Sequence, residues 1–266
     1  MSSSSHNHSS PQPPNQPAAT GTSDNLLPLL YAMDQAHGWS QGMRAITHAL
    51  LGATRLPAGP LLEVGCGAGV FLRELHDYQH GTRCFGLDYS SMALAYARNQ
   101  PAALHLAQGD LQQLPFGANT FSLIVALDSF DQRAVDLQQA VAESWRLLKP
   151  DGLLLLRVSA HPWLESDHDV AFNTGRRYQR QELIDALTAG GFDLERITYA
   201  NSLLALPVIA QRLLQRWRLL PFASNHEISP FVNQQVMRLL RWEANLLHLT
   251  DLPFGISLYV LARKPR

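Results

Sequence analysis

Five short apolar segments, separated by stretches with helical spacing, constrain the fold of this chain more than any other feature. Each is four to eight residues long, and most are rich in leucine or β-branched residues. Strands of this kind, alternating with helices of about 10 to 15 residues, are typical of βα units, whose parallel sheet is buried on both faces. The pattern predicts an α/β fold with a doubly wound sheet, with its first five strands at LLEV (61–64), RCFGLD (83–88), LHLAQGD (104–110), FSLIVALD (121–128) and GLLLLRVS (152–159).

The second half of the chain follows a different order of elements. A helix predicted to end at Lys149 is stopped by Pro150-Asp151-Gly152, because proline cannot continue a helix and glycine permits a turn. After the fifth strand we expect an insertion at 161–178, a helix at 179–189, a strand at 192–200, helices at 203–220 and 231–249, and a last strand at 255–265.

The N-terminal residues differ in composition from the rest. Residues 1–24 are rich in Ser, Pro, Asn and His and lack large apolar side chains, which predicts a disordered tail. From Asn25 the apolar residues recur with a period near 3.6, so two short helices are expected before the first strand. We therefore predict one domain over 25–266, with a helical lid insertion at about 201–250.

Charge and cysteine content exclude several classes of protein. With 21 Lys and Arg against 22 Asp and Glu, the formal net charge of -1 gives no reason to expect a general nucleic-acid binder. Cys66 and Cys84 do not make a disulfide framework, and with no N-terminal signal the expected location is the cytoplasm. No apolar run approaches the ~20 residues of a membrane span. Arginines at 212, 216 and 218 beside leucines allow a peripheral membrane contact, although a helix packed over the sheet accounts for the same leucines.

A glycine-rich turn joins the first predicted strand to the first helix. LLEVGCGAGV (61–70) places Gly65, Gly67 and Gly69 where an open parallel sheet binds its ligand. The spacing matches neither a dinucleotide fingerprint, which needs a third glycine three residues after the second, nor a phosphate-binding loop. Glu63 would repel a pyrophosphate and favours a ligand with a positive charge, such as an ammonium group.

Acidic residues also follow the second and third strands. Asp88 can accept hydrogen bonds from both hydroxyls of a ribose, and Asp110 can meet an exocyclic amino group while Leu111 covers a base. Together with the glycine turn, these residues describe a pocket for an amino acid joined to an adenosine. The alternatives are that Asp88 caps the following helix, in competition with Ser90 and Ser91, and that Asp110 is a turn residue.

The chain resembles the class I S-adenosylmethionine-dependent methyltransferases, in particular the type 11 small-molecule group. The resemblance rests on EVGCGAG (63–69), GLDYS (86–90), GDLQQLPF (109–116), FSLIVALD (121–128) and ESWRLLKPDGLLLLRV (143–158). It implies a Rossmann-like seven-stranded sheet with the last strand antiparallel, and S-adenosylmethionine as cofactor. It also implies binding roles for Glu63 and the loop from Gly65 through Cys66 and Gly67 to Gly69 at the methionine end, Asp88 at the ribose, Tyr89 near the base, Asp110 and Leu111 at the adenine, and Leu127 in the pocket wall.

Two departures from the family pattern limit what the resemblance implies. Many relatives carry a histidine shortly after the fourth strand where this chain has Gln132, so no role is carried over to that position. The fourth strand also lacks the Asn/Asp-Pro-Pro-aromatic tetrad, which counts against methylation of amino groups on nucleobases.

Residues suited to acceptor chemistry cluster in the insertion after the fifth strand. His168 is a candidate general base, oriented by Asp169 or Asp167, and Arg177 could clamp an anionic acceptor. With Tyr178, these residues form the predicted catalytic set of His168, Asp169, Arg177 and Tyr178. The alternative is that the same residues cap a turn and pin the insertion to the sheet. A metal site built from His161, Asp167 and His168 is disfavoured, because the spacing matches no standard ligand pattern.

The residues expected to roof the pocket indicate the kind of acceptor. Leucines in 203–250, together with Trp39, Phe222, Phe231 and Trp242, favour a small apolar or amphiphilic acceptor. Two rival functions remain: a non-catalytic S-adenosylmethionine-binding regulatory or assembly subunit, and a nicotinamide oxidoreductase, which Glu63 and Val70 argue against. The pattern leaves the oligomeric state and the methylated atom open.

Overall fold

The computed structural model describes residues 34–78, 82–166, 169, 174–216 and 229–266. Within them lies a seven-stranded sheet of order β3-β2-β1-β4-β5-β7-β6, in which β7 runs antiparallel to the other six strands. The predicted doubly wound sheet with its last strand antiparallel is therefore confirmed. The strands are β1 (Leu61–Val64), β2 (Cys84–Asp88), β3 (His105–Gln108), β4 (Phe121–Leu127), β5 (Leu148–Ser159), β6 (Asp193–Ala200) and β7 (Ser257–Arg263).

Helices cover both faces of this sheet. They are α1 (Gly38–Gly52), α2 (Val70–Tyr78), α3 (Ser91–Ala97), α4 (Leu137–Leu147), α5 (Arg180–Ala189), α6 (Ala205–Arg216) and α7 (Pro230–Leu249), with a short 3-10 turn at Pro162–Leu164. The predicted tail over 1–24, the helix expected from Asn25 and residues 217–228 lie outside the described residues.

Successive side chains of the central strands pack alternately into two apolar clusters, one on each face of the sheet. Ile124 and Leu154 belong to the cluster covered by α4 and α5. Leu123 and Leu153, one residue earlier on each strand, belong to the cluster covered by α1, α2, α3 and α7. Because both faces are buried, these strands are apolar throughout, which explains why their sequence reads as continuous runs.

The start of β5 differs from its prediction. The helix expected through Lys149 ends at Leu147, and the Pro150-Asp151-Gly152 segment lies inside the strand as an irregularity in its register with β4. Asp151 has a φ of 67° and its backbone N–H donates to the carbonyl oxygen of Lys264. Pairing with β7 therefore continues through a segment that a local pattern assigns to a turn.

The helical insertion after β6 packs along α1. Gly42 of α1 lies so close to α7 that an added Cβ would stand 2.4 Å from the Cβ of Leu240. The backbone N–H of Gly38 donates to Oδ1 of Asn233 at 2.6 Å, which joins the N-terminal ends of the two helices. Within the helical insertion, α7 thus forms a layer beside α1, and the role of the insertion as a lid over the ligand stays a prediction.

No helix in the described part of the chain has the length and apolar character that crossing a membrane requires.

Candidate functional site

The glycine turn after β1 adopts backbone angles that side chains disfavour. Gly65, Gly67 and Gly69 have φ values of 74°, 52° and 71°. A Cβ on Gly65 would lie 2.6 Å from the Cβ of Ser129, at the end of β4. Both conditions require glycine, so the turn brings bare backbone to the carboxyl edge of the sheet, beside the start of α2.

Cys66 is a structural part of this turn. Its backbone N–H, like that of Gly65, donates to the carbonyl oxygen of Leu87, at 3.0 and 2.7 Å. Burial, together with the charge of Glu63, raises the pKa of the Cys66 thiol, so the group stays protonated and is a poor nucleophile.

Asp88, the last residue of β2, connects two neighbouring loops. Its Oδ2 accepts the Gly67 N–H at 2.8 Å and its Oδ1 accepts the Ser90 N–H at 2.8 Å. Ser90, whose Oγ accepts the Ala93 N–H, is the N-cap of α3. The cap is therefore Ser90, and Asp88 faces the glycine turn. Burial raises the pKa of Asp88, and these backbone hydrogen bonds partly oppose that effect.

Glu63 is a buried acid with an unsatisfied oxygen. Its side chain lies on β1 at 3% exposure, and Oε2 has no hydrogen-bond partner among the described residues. Burial and the nearby carboxylates of Asp34, Asp88 and Glu74 raise its pKa well above the usual value, while Arg157 opposes them. An ammonium group beside Oε2 would supply the missing donor and charge, so the residues fit the amino-acid end of the expected cofactor.

The remaining predicted cofactor residues surround the ends of β2, β3 and β4. Asp110 is exposed and its Oδ1 accepts the Gln112 N–H at 2.8 Å, so the turn alternative describes its contacts correctly. Leu111 is half-buried, Tyr89 is 55% exposed, and Leu127 is half-buried at the end of β4. The parallel sheet brings these residues to the same edge, where their roles toward a cofactor stay predictions.

An ion pair that the sequence analysis did not identify joins the ends of β4 and β5. Arg157 Nε donates to Asp128 Oδ1 at 2.9 Å and Nη2 to Oδ2 at 2.5 Å. The guanidinium lies 5.7 Å from the centre of the Trp39 ring, and Asp128 has a φ of 53°. The acid at the end of FSLIVALD was visible in the sequence, but its partner 29 residues later was not.

Asp131 is a second acid at this edge. Its Oδ2 accepts the Ser159 N–H at 2.9 Å, whereas Oδ1 is buried and has no hydrogen-bond partner among the described residues. Burial, together with the carboxylate of Asp128, raises the pKa of Asp131 to about 7. Its carbonyl oxygen accepts the N–H groups of Gly175 and Arg176, so it also anchors the insertion that follows β5.

The predicted catalytic set is described only in part, because His168 lies outside the described residues, as does Asp167, the alternative acid expected to orient it. Arg177 donates from Nε and Nη2 to Asp169, at 2.8 and 2.5 Å, and from Nη1 to the carbonyl oxygen of Ala160. Burial raises the pKa of Asp169, but hydrogen bonding to Arg177 outweighs it and holds that pKa below its usual value. These contacts support the alternative that the pair pins the insertion to the sheet.

Tyr178 is equally enclosed. It is 1% exposed and its hydroxyl donates to the carbonyl oxygen of Phe130 at 3.1 Å. Burial raises its pKa to about 12, which disfavours a role as a base. The catalytic assignment of Asp169, Arg177 and Tyr178 stays a prediction that their contacts do not favour.

His161, at the start of the insertion, has an unusual backbone conformation. Its φ of 63° and ψ of 100° are rare for a residue with a side chain. Its ring stacks against Tyr199 at 5.3 Å and Phe254 at 5.0 Å, and Nε2 lies 2.9 Å from the carbonyl oxygen of Gly255. Burial lowers its pKa, so the ring is neutral near pH 7, donates from Nε2 and has Nδ1 as an acceptor.

Comparisons with known proteins identify similar chains. A family model described as a methyltransferase domain matches residues 62–156. A malonyl-acyl-carrier-protein O-methyltransferase of Enterobacter lignolyticus (strain SCF1) is 32% identical over 147 residues, which are 51% of this chain and 56% of the relative. A sterol 24-C-methyltransferase of Schizosaccharomyces pombe (strain 972) is 24% identical over 159 residues, 52% of this chain and 40% of the relative.

A solved structure extends the similarity to the fold. Phosphoethanolamine N-methyltransferase 2 of Haemonchus contortus, in complex with S-adenosyl-L-methionine, matches with a TM-score of 0.55 and 17% identity, over 83% of this chain and 52% of that chain. At this identity the match supports the fold alone. The chain spans about half the length of the curated relatives it matches.

Proposed function

We propose that the chain is an S-adenosylmethionine-dependent methyltransferase and that it methylates a small apolar or amphiphilic acceptor. The match of residues 62–156 to a methyltransferase domain and the order of the seven strands support this proposal. S-adenosylmethionine supplies, when bound, an electrophilic methyl group on a positively charged sulfur. The acceptor atom forms a bond to that methyl group as the carbon–sulfur bond breaks, and the electron pair returns to sulfur.

The unsatisfied oxygen of Glu63 is the observation that carries the proposal. A buried carboxylate oxygen without a donor is costly, and a cationic ligand beside the glycine turn would relieve that cost. In the proposed arrangement, Glu63 and the loop through Gly65, Gly67 and Gly69 hold the amino-acid end. Asp88 holds the ribose.

The base-binding end is proposed at the ends of β2 to β4. The carboxylate of Asp110 accepts the Gln112 N–H and can accept a further hydrogen bond, which the adenine amino group donates. Leu111 and Leu127 cover the adenine ring. Tyr89, more than half exposed, folds over the base when it is bound.

The acceptor is proposed to lie over the ends of β4, β5 and β6. Trp163 and Phe254 are 50% and 40% exposed beside His161 at this edge, which supports an apolar acceptor. An acceptor that must lose a proton needs a base, and in this proposal the base is His161, whose Nδ1 is an acceptor, or His168. The relatives act by name on oxygen, carbon and nitrogen, so they do not select the methylated atom.

Calorimetric titration with S-adenosylmethionine and, separately, with NAD tests the cofactor. We expect binding of S-adenosylmethionine alone, followed by transfer of a radiolabelled methyl group to a member of a panel of apolar hydroxy, amino and carboxylic acids. If neither compound binds, the proposal is contradicted. Binding without transfer to any acceptor favours a non-catalytic, S-adenosylmethionine-binding subunit instead.

A further inference from the structure

The outward face of α7 is apolar although it is not part of the core. Val232, Leu239, Trp242 and Leu249 are 47%, 43%, 60% and 82% exposed. Their spacing of seven, three and seven residues places them on one side of a helix, where Phe231 joins them at 70% exposure. We call this set of five residues the α7 stripe. Large exposed side chains concentrated in this way mark an interaction surface.

The opposite side of α7 is fixed against the protein, so the stripe cannot turn inward. Leu240 and Leu247 are fully buried in the cluster that α1 covers. Glu243, also fully buried, accepts the N–H groups of Ser202 and Leu203 on Oε2, at 2.9 and 3.0 Å. These hydrogen bonds join α7 to the segment that precedes α6. They fix the rotation of α7 about its own axis as well as its position.

The exposed arginine side chains of α7 give this helix a positive charge. Arg238 and Arg241 are exposed on α7, and Glu243 is the only carboxylate among the residues of this helix, all of which the structure describes. A second copy of the chain docked through the same face would bring these arginines together without an acid to pair them. A surface of anionic lipid headgroups provides the opposite charge, and Trp and Phe side chains are suited to the boundary between headgroups and acyl chains.

We propose that α7 lies in the plane of an anionic lipid surface, with the α7 stripe inserted among the acyl chains and Arg238 and Arg241 on the headgroups. A helix of 20 residues extends about 30 Å, long enough for all five side chains to reach the same surface. The contact would position the mouth of the site, because Asn233 near the start of α7 is bonded to Gly38, whose neighbour Trp39 lies against Arg157 at the carboxyl edge. An amphiphilic acceptor could then enter from the lipid.

Vesicle sedimentation tests this contact without any methyl transfer, so its result is independent of the proposed reaction. The full chain is mixed with phosphatidylcholine vesicles that contain or lack phosphatidylglycerol. We expect binding to the anionic vesicles only, weakened by salt because the headgroup contacts are exposed. The double variant Leu239→Gln/Trp242→Gln should bind roughly tenfold more weakly or worse. Arg238→Glu/Arg241→Glu should lose the preference for anionic lipid.

Trp145→Gln is the matched control, because Trp145 is a partly exposed tryptophan on α4, across the sheet. It should bind vesicles as the unchanged protein does. Quenching of tryptophan fluorescence by brominated lipid provides a second readout, which should fall in Trp242→Phe and not in Trp145→Phe. Circular dichroism and S-adenosylmethionine titration check that each variant is folded.

Three results would overturn the proposal. They are the absence of binding to anionic vesicles at low salt, equal binding by the stripe variant and the unchanged protein, and a concentration-dependent dimer in sedimentation equilibrium that the stripe variant abolishes. The last result would assign the stripe to a second copy of the chain.

Discussion

The backbone N–H of Gly67 donates to Oδ2 of Asp88 at 2.8 Å, so the acid at the end of β2 holds the glycine turn that follows β1. The second oxygen of Asp88 accepts the Ser90 N–H. Each carboxylate oxygen can accept more than one hydrogen bond, so Asp88 can hold the turn and still accept from the hydroxyls of a ribose. One residue thereby links the shape of the cofactor loop to the recognition of the sugar.

Asp88→Ala should weaken S-adenosylmethionine binding by about 1 to 3 kcal/mol, the cost of leaving hydrogen-bonding groups unpaired. The variant also lacks the hydrogen bond from the Gly67 N–H that holds the glycine turn. Isothermal titration calorimetry measures the effect. Ser90→Ala is the control, because it removes the cap of α3 and should lower the free energy of unfolding by about 1 kcal/mol while leaving the affinity unchanged. Equal affinities for Asp88→Ala and the unchanged protein would remove the ribose assignment.

Glu63 should release a proton when the cofactor binds. Its pKa is raised in the free protein by burial and by neighbouring acids, and a bound ammonium group would favour the ionised form. The affinity for S-adenosylmethionine should therefore rise with pH through the titration of Glu63. Calorimetry in two buffers with different enthalpies of ionisation measures the released protons.

Glu63→Gln is the matching variant, because it keeps the size of the side chain and removes the charge. We expect weaker binding and no proton release associated with this position. If the glutamine variant released as many protons as the unchanged protein, Glu63 would not face the cation.

The strands and the glycine turn could be predicted because both depend on local sequence. Apolar runs reveal strands buried on both faces, and Gly65 is required by its own φ and by its close approach to Ser129. The packing of α7 against α1 could not be predicted, since a helical pattern shows which face is apolar without showing which element covers it. The contact between Gly42 and Leu240 joins residues almost 200 positions apart.

The residues that act on the acceptor were harder to predict, because their contacts also depend on which elements are neighbours. Chemically active residue types in the insertion indicated a catalytic set, but Arg177 and Tyr178 are buried and bonded within the protein. The Asp128–Arg157 pair forms only because β4 and β5 are neighbours in register, with Leu127 opposite Arg157. Residue type alone does not distinguish a buried anchor from a group that meets substrate.

Arg177→Met should lower the free energy of unfolding by about 3 to 5 kcal/mol, because it leaves the buried carboxylate of Asp169 without its main partner. Contacts from the Ser166 N–H at 3.0 Å and from Arg212 at 3.5 Å remain, but neither replaces the two hydrogen bonds from the Arg177 guanidinium. Denaturant titration measures the loss, and Asp169→Asn/Arg177→Met should cost less than the sum of the single variants. Turnover per folded molecule should be nearly unchanged. A large fall in turnover with little loss of stability would restore Arg177 to the catalytic set.

Asp131 should make the protein less stable as pH rises. Its pKa is about 7 in the folded chain, against an ordinary value of 3.8, so the folded state binds this proton more tightly than the unfolded state does. The resulting stabilisation is fully present below about pH 4 and is lost as pH rises through about 7.

Asp131→Asn isolates this contribution, because an asparagine oxygen can still accept the Ser159 N–H but the side chain does not titrate. The groups that act on Asp131 are the carboxylate of Asp128, which raises its pKa, and Ser159 and Arg157, which lower it, and all of them remain in the variant. Urea unfolding at about pH 5 and about pH 8 should show the unchanged protein losing stability relative to Asp131→Asn at the higher pH. If the difference in free energy of unfolding between the two proteins were the same at both pH values, the pKa of Asp131 would not be raised in the folded protein. Its buried oxygen would then have a hydrogen-bond donor.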